Sequence, residues 1–187
     1  MSKVYTFLAN GFEEVECLAV VDLLRRANVD VVMVSITNNK YVTGSHSITV
    51  QADALFDDAD IDFSDADMLF LPGGMPGTKY LAAHEGLISL IKDSYKKDKY
   101  LAAICAAPII YGELNLLSGR HATCYPGYEG KCMGAIMEKS GVVTDGRIIT
   151  ARGLGFAMDL GLELIRILQN EEQASQIKSA IQHPCAD

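Results

Sequence analysis

The sequence predicts an α/β protein, a three-layer α/β/α sandwich with a mostly parallel central sheet and a small β-hairpin. Short apolar runs alternate with helix-like segments along the whole chain, as in proteins built from strand–helix–strand units. Most of these runs end near glycine, proline or asparagine, which commonly terminate strands. Because the chain has 187 residues, of which 49% are hydrophobic, we expect one domain over residues 1–187 with a sizeable core.

The first third of the chain has a strand–helix–strand pattern. Residues 4–9 form a short apolar run that ends at Asn10 and Gly11, and residues 13–27 have the composition of a mostly apolar helix. Residues 29–36 then form a run rich in β-branched side chains. This order predicts a right-handed βαβ unit in a parallel sheet.

The middle of the chain predicts a hairpin, a connection, a strand and two helices. Residues 40–51 alternate apolar and polar side chains around Gly44, which indicates a small hairpin set off from the main sheet. Residues 53–67 are acidic and rich in turn formers, so we expect a connection there that leads into a strand over 68–71. Apolar side chains at helical spacing within 77–98 predict a short helix and then a longer one.

The last part of the chain repeats the alternation. Residues 100–104 predict a buried strand, and a helix is expected over 108–117. The remaining predicted elements are strands near 121–124, 142–143 and 147–150 and helices over 156–169 and 171–182, the last of which is expected to cap the sheet. Such a sandwich resembles flavodoxin, in which sites lie at the carboxyl ends of the strands. Here these ends are the loops after residues 9, 71, 104 and 150.

Composition excludes several classes of partner. Lysine and arginine total 16 against 24 aspartates and glutamates, a net charge of 16 − 24 = −8, so we expect no nucleic-acid partner. No stretch approaches the roughly 18 apolar residues of a membrane span, and the N-terminus lacks the apolar core of a signal peptide, so we expect a cytoplasmic protein without a membrane partner. No Gly-x-Gly-x-x-Gly motif follows a strand, so no cofactor is expected.

The cysteines and histidines give no metal or disulfide pattern. Five cysteines without Cys-x-x-Cys spacing argue against a disulfide framework and a zinc site. We interpret four of them as structural thiols, namely Cys17, Cys124, Cys132 and Cys185. No metal is expected, because the histidines lack metal-binding spacing; they are His46, His84, His121 and His183.

Cys105 is the candidate reactive residue. It follows the predicted strand over 100–104 and precedes a helix that Pro108 opens, which is the arrangement of a nucleophile elbow. At such a turn the sulfur lies over free backbone N–H groups and the positive end of the helix dipole, so we expect a lowered thiol pKa. An inert core cysteine is the alternative.

Two further segments can contribute to a site around this cysteine. Gly73 and Gly74 follow the strand over 68–71 and let the backbone approach a ligand closely. The amides of Gly74 and Ala106 are therefore expected to form an oxyanion hole. An ordinary turn at the end of the strand is the alternative.

Glu13 and Glu16 lie three residues apart at the start of the first helix and share a face. Either can cap the helix while the other points at the strand ends. A charged carboxylate beside Cys105 raises the thiol pKa, whereas a protonated one donates a hydrogen bond to the thiolate. We therefore expect a functional Glu16 to be largely neutral near neutral pH. The alternative is that both glutamates only stabilise the helix dipole.

Four motifs in chain order resemble the ThiJ/PfpI superfamily, which is part of the class I glutamine amidotransferase-like group. They are GFEEVE at 11–16, LPGG at 71–74, AICAAP at 103–108 and TARGLG at 150–155. The first and third are most similar to the branch that contains the parkinsonism-associated deglycase and bacterial ThiJ. The resemblance covers nearly the whole chain.

This resemblance implies a set of site residues and a quaternary state. It implies a nucleophile, its protonated partner and two oxyanion-binding amides, which are Cys105, Glu16, Gly74 and Ala106. The residues expected to contact substrate are Gly73, Tyr125, Arg152 and Gly153. It also implies a homodimer with the first helix near the interface, and a small carbonyl substrate or a glycated adduct as the partner.

The chain departs from the family pattern at two positions. Peptidase-like members carry histidine directly after the cysteine, and this chain has Ala106 there, which disfavours proteolysis. The deglycase has histidine before a proline beyond the cysteine helix, and the matching position here is Tyr125 before Pro126. Tyrosine is a poor base at neutral pH, so any mechanism must rely on Glu16.

Three functional hypotheses follow. The first is a cofactor-independent enzyme that acts on 2-oxoaldehydes, a glyoxalase, or on their early protein and amine adducts, a deglycase. The second is a redox-sensing or chaperone-like stress protein in which Cys105 is oxidised without turnover. The third is a peptidase or amidase, which requires a histidine such as His46 or His121 within reach of Cys105.

Overall fold

Eleven strands and six α-helices occur in residues 2–184, the part of the chain that this computed structural model describes. The strands are β1 (Lys3–Leu8), β2 (Asp30–Ser35), β3 (Tyr41–Thr43), β4 (Thr49–Gln51), β5 (Ala54–Leu55), β6 (Met68–Leu71), β7 (Tyr100–Ile104), β8 (His121–Ala122), β9 (Ile136–Met137), β10 (Val142–Asp145) and β11 (Ile148–Ala151). The helices are α1 (Glu14–Arg26), α2 (Gly77–Ala83), α3 (Glu85–Lys96), α4 (Pro108–Glu113), α5 (Ala157–Leu168) and α6 (Glu171–Ala180). The prediction for Cys185 lies outside the described residues.

A seven-stranded sheet forms the centre, in the order β10-β11-β7-β6-β1-β2-β5. Every neighbouring pair is parallel except β10 and β11, which form an antiparallel hairpin at one edge. The expected α/β sandwich is therefore confirmed. Because β1, β6, β7 and β11 run parallel and lie near one another, their carboxyl ends meet at the same edge of the sheet.

The two faces of the sheet are covered by different helices. Along β1, Val4 and Leu8 pack into the cluster that contains the apolar side chains of α1 and α5. Tyr5 and Phe7, which point to the opposite face, pack with α2, α3 and α4. This alternation with a period of two is the one that a strand imposes on its side chains, and it places an apolar layer on each side.

The hairpin of β3 and β4 forms a separate two-stranded sheet, as its alternating pattern predicts. The segment expected to be only a connection contains β5, which adds to the edge of the main sheet beside β2. A strand of two residues is too short to give a periodic signal. No helix within residues 2–184 has the length and apolar composition needed to cross a bilayer.

Three elements in the second half differ from the prediction. α4 ends at Glu113, shortly before Asn115, which has a left-handed φ of +58° that does not continue a right-handed helix. β8 pairs with β9 in a small sheet of its own. The last helix, α6, packs against α5 and does not cap the sheet.

Candidate functional site

Cys105 occupies a sharp turn at the carboxyl end of β7. Its φ is +64°, a left-handed conformation that a side chain rarely adopts and that the surrounding structure must hold in place. Its N–H donates to the carbonyl of Ala151 at 2.9 Å, and its carbonyl accepts from the N–H of Tyr125 at 2.8 Å. The backbone of Cys105 is thus held between the end of β11 and the segment after β8.

Two backbone amides are directed at the sulfur of Cys105. The N–H groups of Gly74 and Ala106, in the loops after β6 and β7, act to lower the pKa of the thiol, and both residues line one cavity with Cys105. Gly74 has a φ of +93°, a conformation that glycine adopts without strain. These amides stabilise negative charge on the sulfur or on an oxygen that replaces it in the same place.

Gly73 brings the loop close to both reactive side chains. A Cβ atom at this position would lie 2.5 Å from the Cβ of Cys105 and 2.5 Å from Oε2 of Glu16. Both distances are shorter than van der Waals contact allows, so only glycine fits here. Close packing therefore requires glycine at position 73, which an ordinary turn at the end of a strand would not require.

Glu16 points into the site while Glu13 caps the helix. Oε2 of Glu13 accepts a hydrogen bond from the N–H of Glu16 at 2.7 Å. The Glu16 side chain is buried, accepts from the N–H of Gly73 at 3.1 Å and contacts the thiol of Cys105. The amide of Leu154 supplies a further hydrogen bond to it.

Burial raises the pKa of Glu16 to about 7. The hydrogen bonds from Cys105, Gly73 and Leu154 act in the opposite direction, and the nearby charge of Glu13 adds to the rise. A carboxyl in this state exists in both forms near neutral pH. It can therefore accept and return a proton, which is the property that a general acid and base requires.

The pKa of Cys105 differs from the sequence expectation. Burial, followed by the charge of Glu16 and the hydrogen bond to Glu16, raises the thiol pKa to about 12. The amides of Gly74 and Ala106 act in the opposite direction and have a smaller effect. The expectation of a lowered thiol pKa is wrong for two reasons. α4 has only six residues, so its dipole is small, and the sulfur lies partly out of water. Above pH 7 the thiol and the carboxyl of Glu16 share one proton.

The sulfur opens into a small cavity of 160 Å³. Its walls are backbone and side chains from three loops, namely Gly74, Met75, Cys105, Ala106, Tyr125 and Tyr128. The rings of Tyr125 and Tyr128 meet edge to face, with centroids 6.3 Å apart. Cys105 is thus partly exposed and lines a cavity, unlike the fully buried Cys17. A larger hollow of 430 Å³ lies between α5 and α6 and contains none of these residues.

The residues expected to contact substrate divide between two adjoining cavities. Gly73 and Tyr125 lie at the cysteine, whereas Arg152 and Gly153 line a neighbouring cavity of 300 Å³ that shares Tyr125. The guanidinium of Arg152 donates to the carbonyl of Lys139 at 3.0 Å. Arg152 therefore lines the neighbouring cavity and not the one that contains Cys105.

Sequence reasoning missed three residues of the site. Met75 and Tyr128 line the cysteine cavity, and the amide of Leu154 binds Glu16. Leu154 belongs to the TARGLG motif, which marks this segment as part of the site. The motif does not predict that the amide of Leu154 acts on Glu16. Tyr128 follows Tyr125 by three residues in a turn, and only the turn geometry places both rings on one wall.

The histidines that an amidase would need have other partners. His121 pairs with Glu138 at 2.6 Å, and His46 pairs with Glu14 at 3.0 Å. Glu13, Glu14 and His46 each offer an atom within 4.8 Å of the others, which is close enough to hold a cation. Glu14, however, already accepts hydrogen bonds from the hairpin backbone and from His46, so we assign no metal there.

Comparisons with known proteins agree with this geometry. The model of the DJ-1/PfpI family matches residues 2–167. Protein DJ-1 homolog B of Arabidopsis thaliana is 36% identical over 92% of this chain and 39% of its own length, and homolog A is 34% identical over 92% and 44%. The chain thus spans less than half the length of these two plant relatives. Among solved structures, oxidised Toxoplasma gondii DJ-1 matches with a TM-score of 0.92 at 30% identity, over 97% of this chain and 98% of that one.

Proposed function

Because this chain belongs to the DJ-1/PfpI family, we propose that it is a cofactor-independent enzyme that uses Cys105 to convert small 2-oxoaldehydes, or their early adducts with amines and thiols, to hydroxy acids. One observation carries the proposal. Cys105 lines a cavity together with Gly74 and Ala106, and at Gly73 it meets the carboxyl of Glu16, whose pKa burial raises to about 7. These are a nucleophile, an oxyanion site and a proton shuttle in one place.

The reaction begins with addition of the sulfur to the aldehyde carbon. The carbonyl π electrons move to oxygen, and the amides of Gly74 and Ala106 bind the resulting alkoxide, which then takes the proton shared by the thiol and Glu16. The Glu16 carboxylate next removes the proton from the former aldehyde carbon, and the electrons of that C–H bond form an enediolate whose charge lies on the ketone oxygen. Glu16 returns the proton to the adjacent carbon while the hydroxyl proton moves to the ketone oxygen, which leaves a thioester of the hydroxy acid. Water hydrolyses the thioester, releases the hydroxy acid and restores the thiol. No electron acceptor is needed, because one carbon is oxidised as its neighbour is reduced.

The size of the cavity favours a small substrate. Its 160 Å³ corresponds to about five water molecules at roughly 30 Å³ each. A three-carbon oxoaldehyde such as methylglyoxal fits this volume. The neighbouring cavity beside Arg152 can take the amine or thiol part of an adduct, because it shares the wall of Tyr125.

Loss of methylglyoxal, followed by proton NMR, tests the proposal. The wild-type chain is expected to produce lactate, Cys105→Ser is expected to lose turnover, and Glu16→Gln is expected to lose most of it. Cys17→Ala is the matched control, because Cys17 is a fully buried thiol of α1 that lies outside both cavities. Turnover that is unchanged in Cys105→Ser rules out the mechanism.

A redox-sensing role is the second candidate. Cys105 is partly exposed, whereas the Cys17 side chain has no exposed surface, so a peroxide reaches Cys105 first. A structural relative from Toxoplasma gondii was solved in an oxidised form. Mass spectrometry after mild peroxide is expected to find oxygen added to Cys105 before the other thiols. Oxidation that is spread evenly over all the cysteines contradicts this role.

We also propose that the chain forms a homodimer through α1. Val15 on the outer face of α1 is 49% exposed, and Ile48 in the adjoining hairpin is 52% exposed. The hairpin lies beside Val15 because the amide of Ile48 donates to Glu14. Val15→Glu is expected to shift the mass measured by light scattering from dimer to monomer. A monomeric wild-type chain contradicts the proposal.

A further inference from the structure

Thr150 is a fully buried polar side chain that the proposed reaction does not use. It lies in β11 between β7 and β10, where it pairs with Ala103 and Val143, and it has no exposed surface. A buried hydroxyl costs stability unless it forms a hydrogen bond. The Oγ1 atom of Thr150 accepts a hydrogen bond from the N–H of Thr123 at 2.9 Å. This bond joins β11 to the segment that follows β8.

The geometry of the two sheets explains why a side chain makes this connection. β8 and β11 belong to different sheets, so no ladder of backbone hydrogen bonds joins them. Thr123 is fully buried, and its own hydroxyl donates to the carbonyl of Glu138 at 3.1 Å. A buried N–H without an acceptor is costly. The hydroxyl of Thr150 therefore supplies the acceptor that the N–H of Thr123 needs.

The bond from Thr123 to Thr150 closes a ring that contains the reactive turn. The N–H of Cys105 donates to the carbonyl of Ala151 at 2.9 Å, and the N–H of Tyr125 donates to the carbonyl of Cys105 at 2.8 Å. Thr123, two residues before Tyr125, then returns the ring to β11 through Thr150. Cys105 has a left-handed φ of +64°, which its surroundings must hold in place. The ring thus couples the position of Tyr125 to that of Cys105.

Tyr125 is the wall that this ring holds. It lines both the Cys105 cavity and the neighbouring cavity. A Cβ at Gly153 would lie 3.3 Å from Cδ2 of the Tyr125 ring and 3.9 Å from Oε1 of Glu16, so Gly153 lies between the ring and the reactive carboxyl. Tyr125 is 49% exposed. Packing alone therefore holds the ring weakly, and its backbone decides where the wall lies.

We propose that Thr150 is a positioning residue, whose hydroxyl holds Tyr125 at the entrance to the Cys105 cavity and so limits the size of the molecule that reaches the sulfur. Without this hydroxyl the buried N–H of Thr123 has lost its acceptor, and the segment that carries Tyr125 shifts to find another. The cavity of 160 Å³ then widens. For the reaction, this role rests on the proposed function, because only that function makes the substrate a small carbonyl compound. Access to the sulfur is measurable without turnover.

Labelling of Cys105 by two reagents of different size tests the role of Thr150. Iodoacetamide is small and N-ethylmaleimide is larger, so the ratio of their rates, measured by peptide mass spectrometry, reports the width of the entrance. Thr150→Val keeps the shape without the hydroxyl and is expected to raise the ratio of N-ethylmaleimide to iodoacetamide at least about threefold. Thr150→Ser keeps the hydroxyl and is expected to retain the wild-type ratio. An unchanged ratio in Thr150→Val, or an equal rise in Thr150→Ser, overturns the proposal.

Thr6→Val is the matched control. Thr6 is another fully buried threonine of the same sheet, but its hydroxyl has no hydrogen-bond partner within residues 2–184. The same exchange is therefore expected to leave the labelling ratio of Cys105 unchanged. Cys17, which is fully buried, reports global opening of the protein. A rise of Cys17 labelling in Thr150→Val that matches the rise at Cys105 shows general loosening and contradicts the positioning role.

Tyr125→Ala tests the same role if Thr150→Val does not fold. It removes the half-exposed ring and leaves the buried bond between Thr123 and Thr150 in place. The labelling ratio is expected to rise, and an unchanged ratio overturns the proposal. In the double variant the exchange at Thr150 is expected to add nothing, because both changes act through one ring.

Loss of methylglyoxal is measured separately on the same proteins. A wild-type chain that shows the expected labelling pattern but no turnover contradicts the proposed function and leaves the role of Thr150 in access intact. A wild-type chain that turns over methylglyoxal, together with an unchanged labelling ratio in Thr150→Val and Tyr125→Ala, overturns the role of Thr150 and leaves the proposed function intact.

Discussion

The side chains of Glu16 and Cys105 meet at Gly73, where an added Cβ atom would lie 2.5 Å from both Oε2 of Glu16 and Cβ of Cys105. Besides burial, the charge of Glu16 raises the pKa of the Cys105 thiol and so favours the proton on the sulfur. When Glu16 takes up a proton near pH 7, its charge no longer opposes ionisation of Cys105, and the carboxyl becomes a donor to the thiolate. The reactive form of the site is thus the one in which the proton has moved from sulfur to oxygen. The amides of Gly74 and Ala106 stabilise that form.

Glu16→Gln is expected to lower the pKa of Cys105. Burial is the main cause that raises the thiol pKa to about 12, and the charge of Glu16 adds to it. The substitution removes that charge, while the amide side chain still fits the same space. A fall of about one to two units is expected, and each unit increases the alkylation rate by iodoacetamide at pH 8 about tenfold. The alkylation rate of the Cys105→Ser variant, which reports the other cysteines, is subtracted from each measured rate. A thiol in Glu16→Gln that reacts at the wild-type rate, or more slowly, contradicts the coupling.

Glu16 also makes stability depend on pH. Its folded-state pKa is raised to about 7 from an ordinary value of 4.5, so the folded state binds this proton more tightly than the unfolded state. The stabilisation is complete below pH 4.5 and is lost as the pH rises through 7, with a total on the order of 3 kcal/mol. Urea unfolding at pH 5 and pH 8 measures it. Glu16→Gln is expected to remove most of the difference, and an equal difference in both proteins refutes the assignment.

The strands that carry the site were predictable because each is a local apolar run with a clear end. β1, β6 and β7 end at Leu8, Leu71 and Ile104, and the segments after them carry Glu16, Gly74 and Cys105, as expected at one edge of a parallel sheet. The spacing of Glu13 and Glu16 also predicts that one caps α1 while the other points at the strand ends, and the structure has Glu13 as the cap.

The thiol pKa and the cavity walls could not be read from the sequence. The pKa of Cys105 depends on how far other loops exclude water from its sulfur, which is a property of the assembled structure. Tyr128 lies in the wall only because consecutive turns fold its loop back.

Glu14 is expected to anchor the β3–β4 hairpin. Its side chain is buried and accepts from the backbone of His46 at 2.7 Å and of Ile48 at 3.3 Å. Burial acts to raise its pKa, but the hydrogen bonds from His46 and the backbone outweigh it and lower the pKa to about 2.

Because the folded-state pKa of Glu14 lies below its ordinary value of 4.5, its contribution is present above pH 4.5 and is lost as the pH falls through 2. Glu14→Ala is expected to cost about 2 kcal/mol at pH 7 by removing the charged acceptor of the hairpin amides of His46 and Ile48, measured by urea unfolding. His46→Ala, which removes an exposed partner, is the control with a smaller loss. Equal losses in both variants contradict the anchoring role.

Gly73→Ala is expected to separate the reactive side chains without unfolding the protein. The new Cβ would lie 2.5 Å from both the Cβ of Cys105 and Oε2 of Glu16, so one of them must move. Displacement of about 1 Å can reduce turnover about a hundredfold, and the alkylation rate of Cys105 is expected to change with it. Gly130→Ala is the matched control, because its Cβ would have no heavy atom within 4 Å among the described residues. Turnover and alkylation in Gly73→Ala within twofold of the wild type would show that the close approach of the three residues is not needed for the site to react.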